Sequence, residues 1–212
     1  LPFPEPPGLL YERVPWPPEV ITDRLDVLSR LVKRQIDRRV EKPGPVIMTS
    51  ARALMHRTLP YRQFRRAVRK VSVGERTSLQ ALTRHAHSIG YEPVSIVQAP
   101  GQLSQRGGLL DIYPSQSPQP YRLEFFGDEI DTIRTFAPET QRSTGRSESF
   151  WLTPVREALP RDSERARSAL ERLIDQNPPE EVRARLEEDS EALATQTLSD
   201  TLEFYMPYLY EE

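Results

Sequence analysis

Tyr121-Arg122-Leu123-Glu124-Phe125-Phe126-Gly127-Asp128-Glu129 is the stretch on which the reading of this chain turns. Apolar and polar residues alternate up to Glu124, and Gly127-Asp128 breaks the run, so the spacing predicts a half-buried strand ending in a turn. Successive side chains of a strand point to opposite faces. That puts Tyr121, Leu123 and Phe125 on one side and Arg122, Glu124 and Phe126 on the other. A phenylalanine therefore stands on the polar face, beside an arginine. Such a residue marks either the centre of a protein–protein contact or a face that a helix or loop covers. The strand alone leaves both readings open.

Working outward, residues 68–154 share one character. Val71-Ser72-Val73 leads to Gly74, and Thr77 is placed to cap a helix whose apolar face is Leu79, Leu82, Ala86 and Ile89, with Gly90 where a left-handed C-terminal cap belongs. Strand candidates follow at 94–97, 109–113, 121–126 and 130–136, separated by Gly107-Gly108, a proline-bounded segment at 114–120, and Gly127-Asp128. One helix beside a mostly antiparallel sheet is an α+β module.

The stretch before it, 1–67, opens with prolines through Pro18 and is expected to begin extended. After Pro17-Pro18, apolar residues at Ile21, Leu25, Leu28, Leu31 and Val32, with Glu19 in the first turn, predict an amphipathic helix. Pro43-Gly44-Pro45 separates it from Val46-Ile47-Met48-Thr49, which reads as a short buried strand, and from a helical turn at 51–55. Helix, strand and helix suggest part of an α/β layer. The stretch after the module, 155–212, returns to helix. Ser163 is placed to cap one segment, Pro178-Pro179 with Glu180-Glu181 starts another, and the aromatic run 202–210 reads as a closing strand.

Composition narrows the function classes. At 212 residues the chain has room for one large domain or two small ones. No apolar run approaches the roughly 20 residues of a membrane span, and the start lacks the pattern of a secretory signal, so a cytoplasmic location and no membrane partner are expected. With no cysteine, disulfides, thiolate metal sites and thiol nucleophiles are excluded. The net charge of −2 argues against a general electrostatic grip on nucleic acid. Nearly all the positive charge is arginine, the lysines being only Lys33, Lys42 and Lys70. That bias suits bidentate contacts to carboxylate or phosphate.

Candidate chemistry is sparse. The single glycine pair, Gly107-Gly108, is followed by no Lys-Ser or Lys-Thr and reads as a turn rather than a phosphate cradle. His85 and His87 are two apart on a predicted helix and so face apart, which with distant His56 makes no metal site. Paired acids such as Asp128-Glu129 and Glu187-Glu188 give no sign of a pocket that would split their pKa values, and no serine sits in a nucleophile elbow. The chain reads as non-catalytic, with no cofactor and no metal. Arg62, Arg65, Arg66, Arg69 and Lys70 fall at helical spacing, a face that phosphates can track or that simply meets water.

The run Pro100-Gly101-Gln102-Leu103-Ser104-Gln105-Arg106-Gly107-Gly108-Leu109-Leu110-Asp111-Ile112-Tyr113-Pro114, the strand quoted first with Ile130, and Glu139-Thr140-Gln141-Arg142-Ser143 together resemble a module of the bacterial transcription-repair coupling factors (Mfd). Ser50-Ala51-Arg52-Ala53-Leu54-Met55, Val73-Gly74-Glu75, Leu152-Thr153-Pro154-Val155-Arg156-Glu157 and Leu202-Glu203-Phe204-Tyr205-Met206-Pro207 extend the likeness along most of the chain. That N-terminal module is homologous to the excision-repair protein UvrB, whose corresponding region binds UvrA. The resemblance implies a UvrB-like fold of mixed α/β and α+β class: a truncated P-loop-NTPase-like α/β domain 1, read here as residues 1–67 and 155–212, with an inserted α+β domain 2 at 68–154.

It also implies UvrA as partner. In the family the contact is carried by an arginine before the Gly-Gly turn, an arginine opening the next strand and a phenylalanine four positions on, which fall on Arg106, Arg122 and Phe126. A whole UvrB would show a P-loop, an aromatic-rich hairpin and helicase motifs. The chain begins after the first, leaves no room between Tyr11 and Pro18 for the second and ends before the third, which favours the coupling factor. RNA polymerase, duplex DNA and ATP are implied for later domains, and a C-terminal domain of the full-length family protein is thought to mask the UvrA surface. The reading is a non-catalytic recruitment module; the alternative is a DNA-binding element using the face from Arg62 to Lys70.

Overall fold

The computed structural model describes residues 1–8, 14–36, 44–159, 163–195 and 202–210. Contacts divide the chain into one unit of Leu1–Arg24, Gly44–Pro60 and Glu157–Glu212 and another of Leu25–Pro43 and Tyr61–Arg156. The second unit thus takes in 25–43 and 61–67 besides the stretch 68–154, and its border falls after Arg156.

In the first unit, β1 (Pro2–Phe3) pairs in parallel with β2 (Met48–Thr49), and α2 (Ala51–Met55) follows, capped by the Ser50 side chain on the Ala53 N–H. The expected buried strand at 46–49 is instead largely exposed, Met48 at 68%, with Ile47 partly covered. An apolar β-branched run signals extended backbone but says nothing of what will cover it. Helices α5 (Ser163–Ile174) and α6 (Glu180–Ala194) follow, the latter started by Pro179. Ser163 is itself the first residue of its helix, and position 162, where a cap would stand, lies outside the described residues. The predicted closing strand is a 3-10 turn (Leu202–Tyr205) running into a helix of residues Met206–Leu209, because Pro207 cannot donate to a ladder but fits a first helical turn.

The core of this unit holds an ion pair. Arg24 lies on α1 (Pro18–Ile36), whose first turns belong here and whose later turns belong to the other unit. Its Nε and Nη2 donate to Glu157 at 2.5 and 3.2 Å, and Nη1 donates to the Pro4 carbonyl at 3.0 Å. The guanidinium sits 4.2 Å from the Phe3 ring centroid and 5.2 Å from Trp16. Burial pushes the Glu157 carboxyl above its usual range, against the pull of Arg24.

The second unit is built on a six-stranded sheet in the order β4 (Glu92–Pro93), β5 (Gln102–Arg106), β6 (Leu109–Ile112), β7 (Tyr121–Phe126), β8 (Glu129–Phe136), β9 (Ser143–Arg146). All neighbours are antiparallel except β4 with β5. Leu103, Leu110, Ile112, Leu123, Ile130 and Ile133 are buried. Ile130 and Ile133 are an odd number apart and still share the core face. A β-bulge makes this possible: Glu124 lies opposite Thr132 but Phe125 opposite Ile130, so β8 carries the extra residue, Asp131. The alternation along β7 is untouched.

Helix α4 (Leu79–Ser88) buries Leu79, Leu82 and Ala86, and Thr83 hydrogen-bonds Gln105 at 3.3 Å. Its cap is Ser78, not Thr77, accepting from the Ala81 N–H at 3.2 Å. Gly90 closes it at φ 100°. The strand expected at 94–97 is irregular: pairing with β5 covers Glu92–Pro93 and ends at the Val94 N–H, which donates to the Leu103 carbonyl at 2.9 Å, and beyond the segment Gln102 Oε1 accepts the N–H groups of Gln98 and Ala99. A separate antiparallel pair, β3 (Arg69–Ser72) with β10 (Ser149–Leu152), completes the unit, and Tyr121 stacks on Phe150 with centroids 4.3 Å apart. No helix among the described residues is long and apolar enough to cross a membrane.

Candidate functional site

Two tight turns define one end of the six-stranded sheet. Arg106-Gly107-Gly108-Leu109 joins β5 to β6, and Phe126-Gly127-Asp128-Glu129 joins β7 to β8. Because β6 runs back between them, both turns lie at the same end. In each, the first central residue alone has positive φ, 57° at Gly107 and 60° at Gly127, the pattern of a type II′ hairpin that glycine adopts without Cβ strain. Arg106 and Phe126 each stand immediately before such a turn. The Phe125 N–H donates to the Gly108 carbonyl at 2.9 Å, which ties the two turns together.

Farther from the turns, the same face is organised by one carboxylate. Asp111 is paired in register with Ser104 on one side and Arg122 on the other, and its side chain is only 1% exposed. Arg122 grips it with both ends of its fork, Nε to Oδ1 at 2.7 Å and Nη2 to Oδ2 at 2.8 Å. The remaining nitrogen, Nη1, donates to the Gln141 carbonyl at 3.3 Å, and the guanidinium lies 4.7 Å from the centroid of buried Phe136. The hydrogen bonds that Arg122 donates to Asp111 hold it above the ordinary arginine pKa.

Arg106 donates to the same Oδ2 at 2.8 Å but is half exposed, whereas Arg122 is 17% exposed. Phe126 is 85% exposed. That face is therefore open in one place and covered in another. Loop residues cover it at the level of Asp111 and Arg122, where Ser104 donates to the Ser95 carbonyl and Gln141 to that of Val97. At the turns it is open.

All three predicted contact residues thus share a face, but they differ in kind. Phe126 is a free apolar surface, Arg106 a partly free cation, and Arg122 a cation whose fork is already engaged inside the unit. Asp111 was missed by sequence reading. Its signal was a lone acid between Leu110 and Ile112, since aspartate is almost never fully buried unless paired.

The basic cluster does not form the single helical face that its spacing predicts. Helix α3 (Tyr61–Ala67) ends before Arg69, which lies on β3 and is bound to Glu75 by Nε at 3.1 Å and Nη2 at 2.5 Å. Arg62, Arg65 and Arg66 are exposed on the helix, while Lys70 is exposed on the strand opposite Trp151. Among the described residues no group of His, Asp or Glu is placed to hold a metal ion. His85 and His87 instead meet the backbone carbonyls of Ala67 and Tyr91, at 3.1 and 3.3 Å.

Residues 70–157, which contain both turns and the Asp111 cluster, match the family described as UvrB interaction domain. The chain is 30% identical to the transcription-repair-coupling factor of Bacillus subtilis over 205 residues, 92% of this chain and 17% of that protein. The Escherichia coli transcription-repair-coupling factor is 31% identical over 195 residues, 92% of this chain and 16% of that protein. It is a UvrB-homology module of the transcription-repair-coupling-factor family. The module is also similar to UvrABC system protein B of Thermotoga neapolitana, 31% identical over 163 residues, 73% of this chain and 24% of that protein. It spans less than a fifth of the coupling factors named above. The matched region begins at Lys70, so the exposed helix with Arg62, Arg65 and Arg66 precedes it.

Proposed function

We propose that the module is a non-catalytic recruitment element of transcription-coupled repair, and that its six-stranded unit docks UvrA through Phe126 and Arg106, with Arg122 holding the docking face in shape. The observation that carries this is Phe126: a ring 85% exposed, on a glycine-first hairpin turn that the backbone fixes. Large exposed aromatics beside arginine are the usual energetic anchors of protein contacts, and a rigid turn loses little conformational entropy on binding. Half-exposed Arg106 keeps donors for an acidic partner group, which would favour orientation and association rate.

In the whole family protein, this reading has later domains engaging RNA polymerase and DNA while the module presents the docking face. The first unit is proposed as the remnant of a P-loop-NTPase-like α/β domain, the parallel pairing of β1 with β2 being the feature in its favour. The test is a titration of purified UvrA onto the parent chain and Phe126→Ala. The expected result is saturable binding by the parent and a loss of about 2 kcal/mol or more in the variant, the scale of a hot spot. A folded Phe126→Ala protein that binds UvrA like the parent removes the proposal.

A further inference from the structure

Beside the Phe126 turn runs a segment that belongs to no strand. Gly74 donates to the Ile130 carbonyl at 2.8 Å, Ile130 donates to Glu75 at 3.1 Å, and Thr77 donates to Asp128 at 2.8 Å. Arg76 and Glu129 form an antiparallel bridge between these bonds. The backbone is held from the other side as well. Glu75 accepts from Arg69 and from the Ser72 N–H, and Ser78 begins α4 two residues on. Arg76 therefore stands at a fixed point, as if on one more short strand of the sheet.

Glu129 is also the cross-strand partner of Phe126. Register partners share a face, so Arg76, Glu129 and Phe126 form one row, its outer Cα atoms about 10 Å apart at the usual strand spacing. The Arg76 side chain is 89% exposed, and its Nε lies 3.8 Å from Glu129 Oε2, an ion pair too long to be a hydrogen bond. Exposed pairs of this kind hold their partners weakly. The row thus presents a ring and a cation, each on fixed backbone, and an acid between them that partly neutralises the cation.

We infer that Arg76 is a further anchor of the docking surface and that Glu129 restrains it: the partner places a carboxylate about 10 Å from the socket that receives Phe126, the spacing set by two strand intervals. The inference rests on the reading that Phe126 docks UvrA. With the anchor vacated, affinity and association rate fall together. With the restraint neutralised, both rise, because Glu129 competes for Arg76 and repels an acidic partner.

The experiment measures UvrA binding to the parent, Phe126→Ala, Arg76→Ser, Arg76→Glu, Glu129→Gln and the Arg76→Ser/Glu129→Gln double variant, at two salt concentrations. Melting temperatures confirm that each is folded. Arg76→Ser is expected to weaken binding about fivefold and to lessen its salt dependence, and Arg76→Glu to weaken it further. Glu129→Gln is expected to tighten it about twofold, a gain that disappears in the double variant. Both Arg76 variants binding like the parent while Phe126→Ala loses binding overturns the inference and leaves the Phe126 reading standing. Phe126→Ala binding like the parent overturns both, and Glu129→Gln weakening the complex overturns the restraint.

Discussion

Replacing Arg122 with alanine tests whether this arginine is primarily a contact for a partner or a support for the face that carries one. The substitution removes two charge-assisted hydrogen bonds of 2.7 and 2.8 Å from a carboxylate that is 1% exposed, and takes a cation off the Phe136 ring. Breaking a buried pair by removing one partner costs about 3–5 kcal/mol, chiefly through the stranded charge. Arg106 still reaches Oδ2 at 2.8 Å, so Asp111 is not left wholly unpaired. The expected destabilisation therefore falls just below that range, at about 2–3 kcal/mol.

At about 2–4 °C per kcal/mol for a chain of this size, the thermal midpoint falls by about 5–10 °C. Circular dichroism melts and urea titrations of parent, Arg122→Ala and Arg122→Ala/Asp111→Asn read this directly. Neutralising the stranded acid in the double variant recovers about 1 kcal/mol or more. An Arg122→Ala protein melting within a degree of the parent would refute the supporting role. Loss of UvrA binding by Arg122→Ala is then to be read against its stability, whereas loss by Phe126→Ala is not.

Phe126→Ala should leave the unfolding free energy within about 0.5 kcal/mol of the parent by urea titration, because the ring packs on little within the unit. Gly127→Ala, at φ 60°, should lower stability by about 1–2 kcal/mol in the same assay, since alanine is strained in that region. Burial, then the charges of Arg24 and Arg52, hold His56 below its ordinary pKa, so neutral His56 favours the folded state. Its contribution is complete above about pH 6.5 and is lost as the pH falls from there through the lower folded value. Melts between pH 7.5 and 5 should therefore show a shallower acid loss in His56→Gln than in the parent. Duplex DNA titrated by fluorescence anisotropy should show affinity that collapses with added salt; affinity persisting at moderate salt, and lost on replacing Arg62, Arg65 and Arg66 with serine, would instead support the DNA-binding reading.

The sequence legible at short range was right at short range. Period-two alternation located β7 and the sidedness of Arg122 and Phe126, Gly107-Gly108 and Gly127-Asp128 located the two hairpin turns, and Pro178-Pro179 located the start of α6. Local signals failed where pairing or cover decides. Residues 46–49 look buried, yet Val46, Met48 and Thr49 are exposed; residues 94–97 look like a strand, but pairing stops at Val94; and Arg69 looks like the continuation of a basic helix but lies on a strand and pairs with Glu75. Each depends on which neighbour pairs with or covers the segment, and periodicity does not specify that.

The chain by itself determined that Arg122 and Phe126 share one face of a strand and that Arg106 and Phe126 precede glycine turns, because backbone preference and side-chain alternation are properties of consecutive residues; the strand that carries Arg106, β5, is not among those predicted. Only the tertiary structure decided which of them is available. Asp111, brought beside both arginines by strand register, draws Arg122 inward and leaves Arg106 half free, and the bulge at Asp131 keeps Ile130 in the core while Phe126 stays in water. A charge is engaged or open according to what lies across the sheet, and that is a matter of distance in space rather than position in the chain.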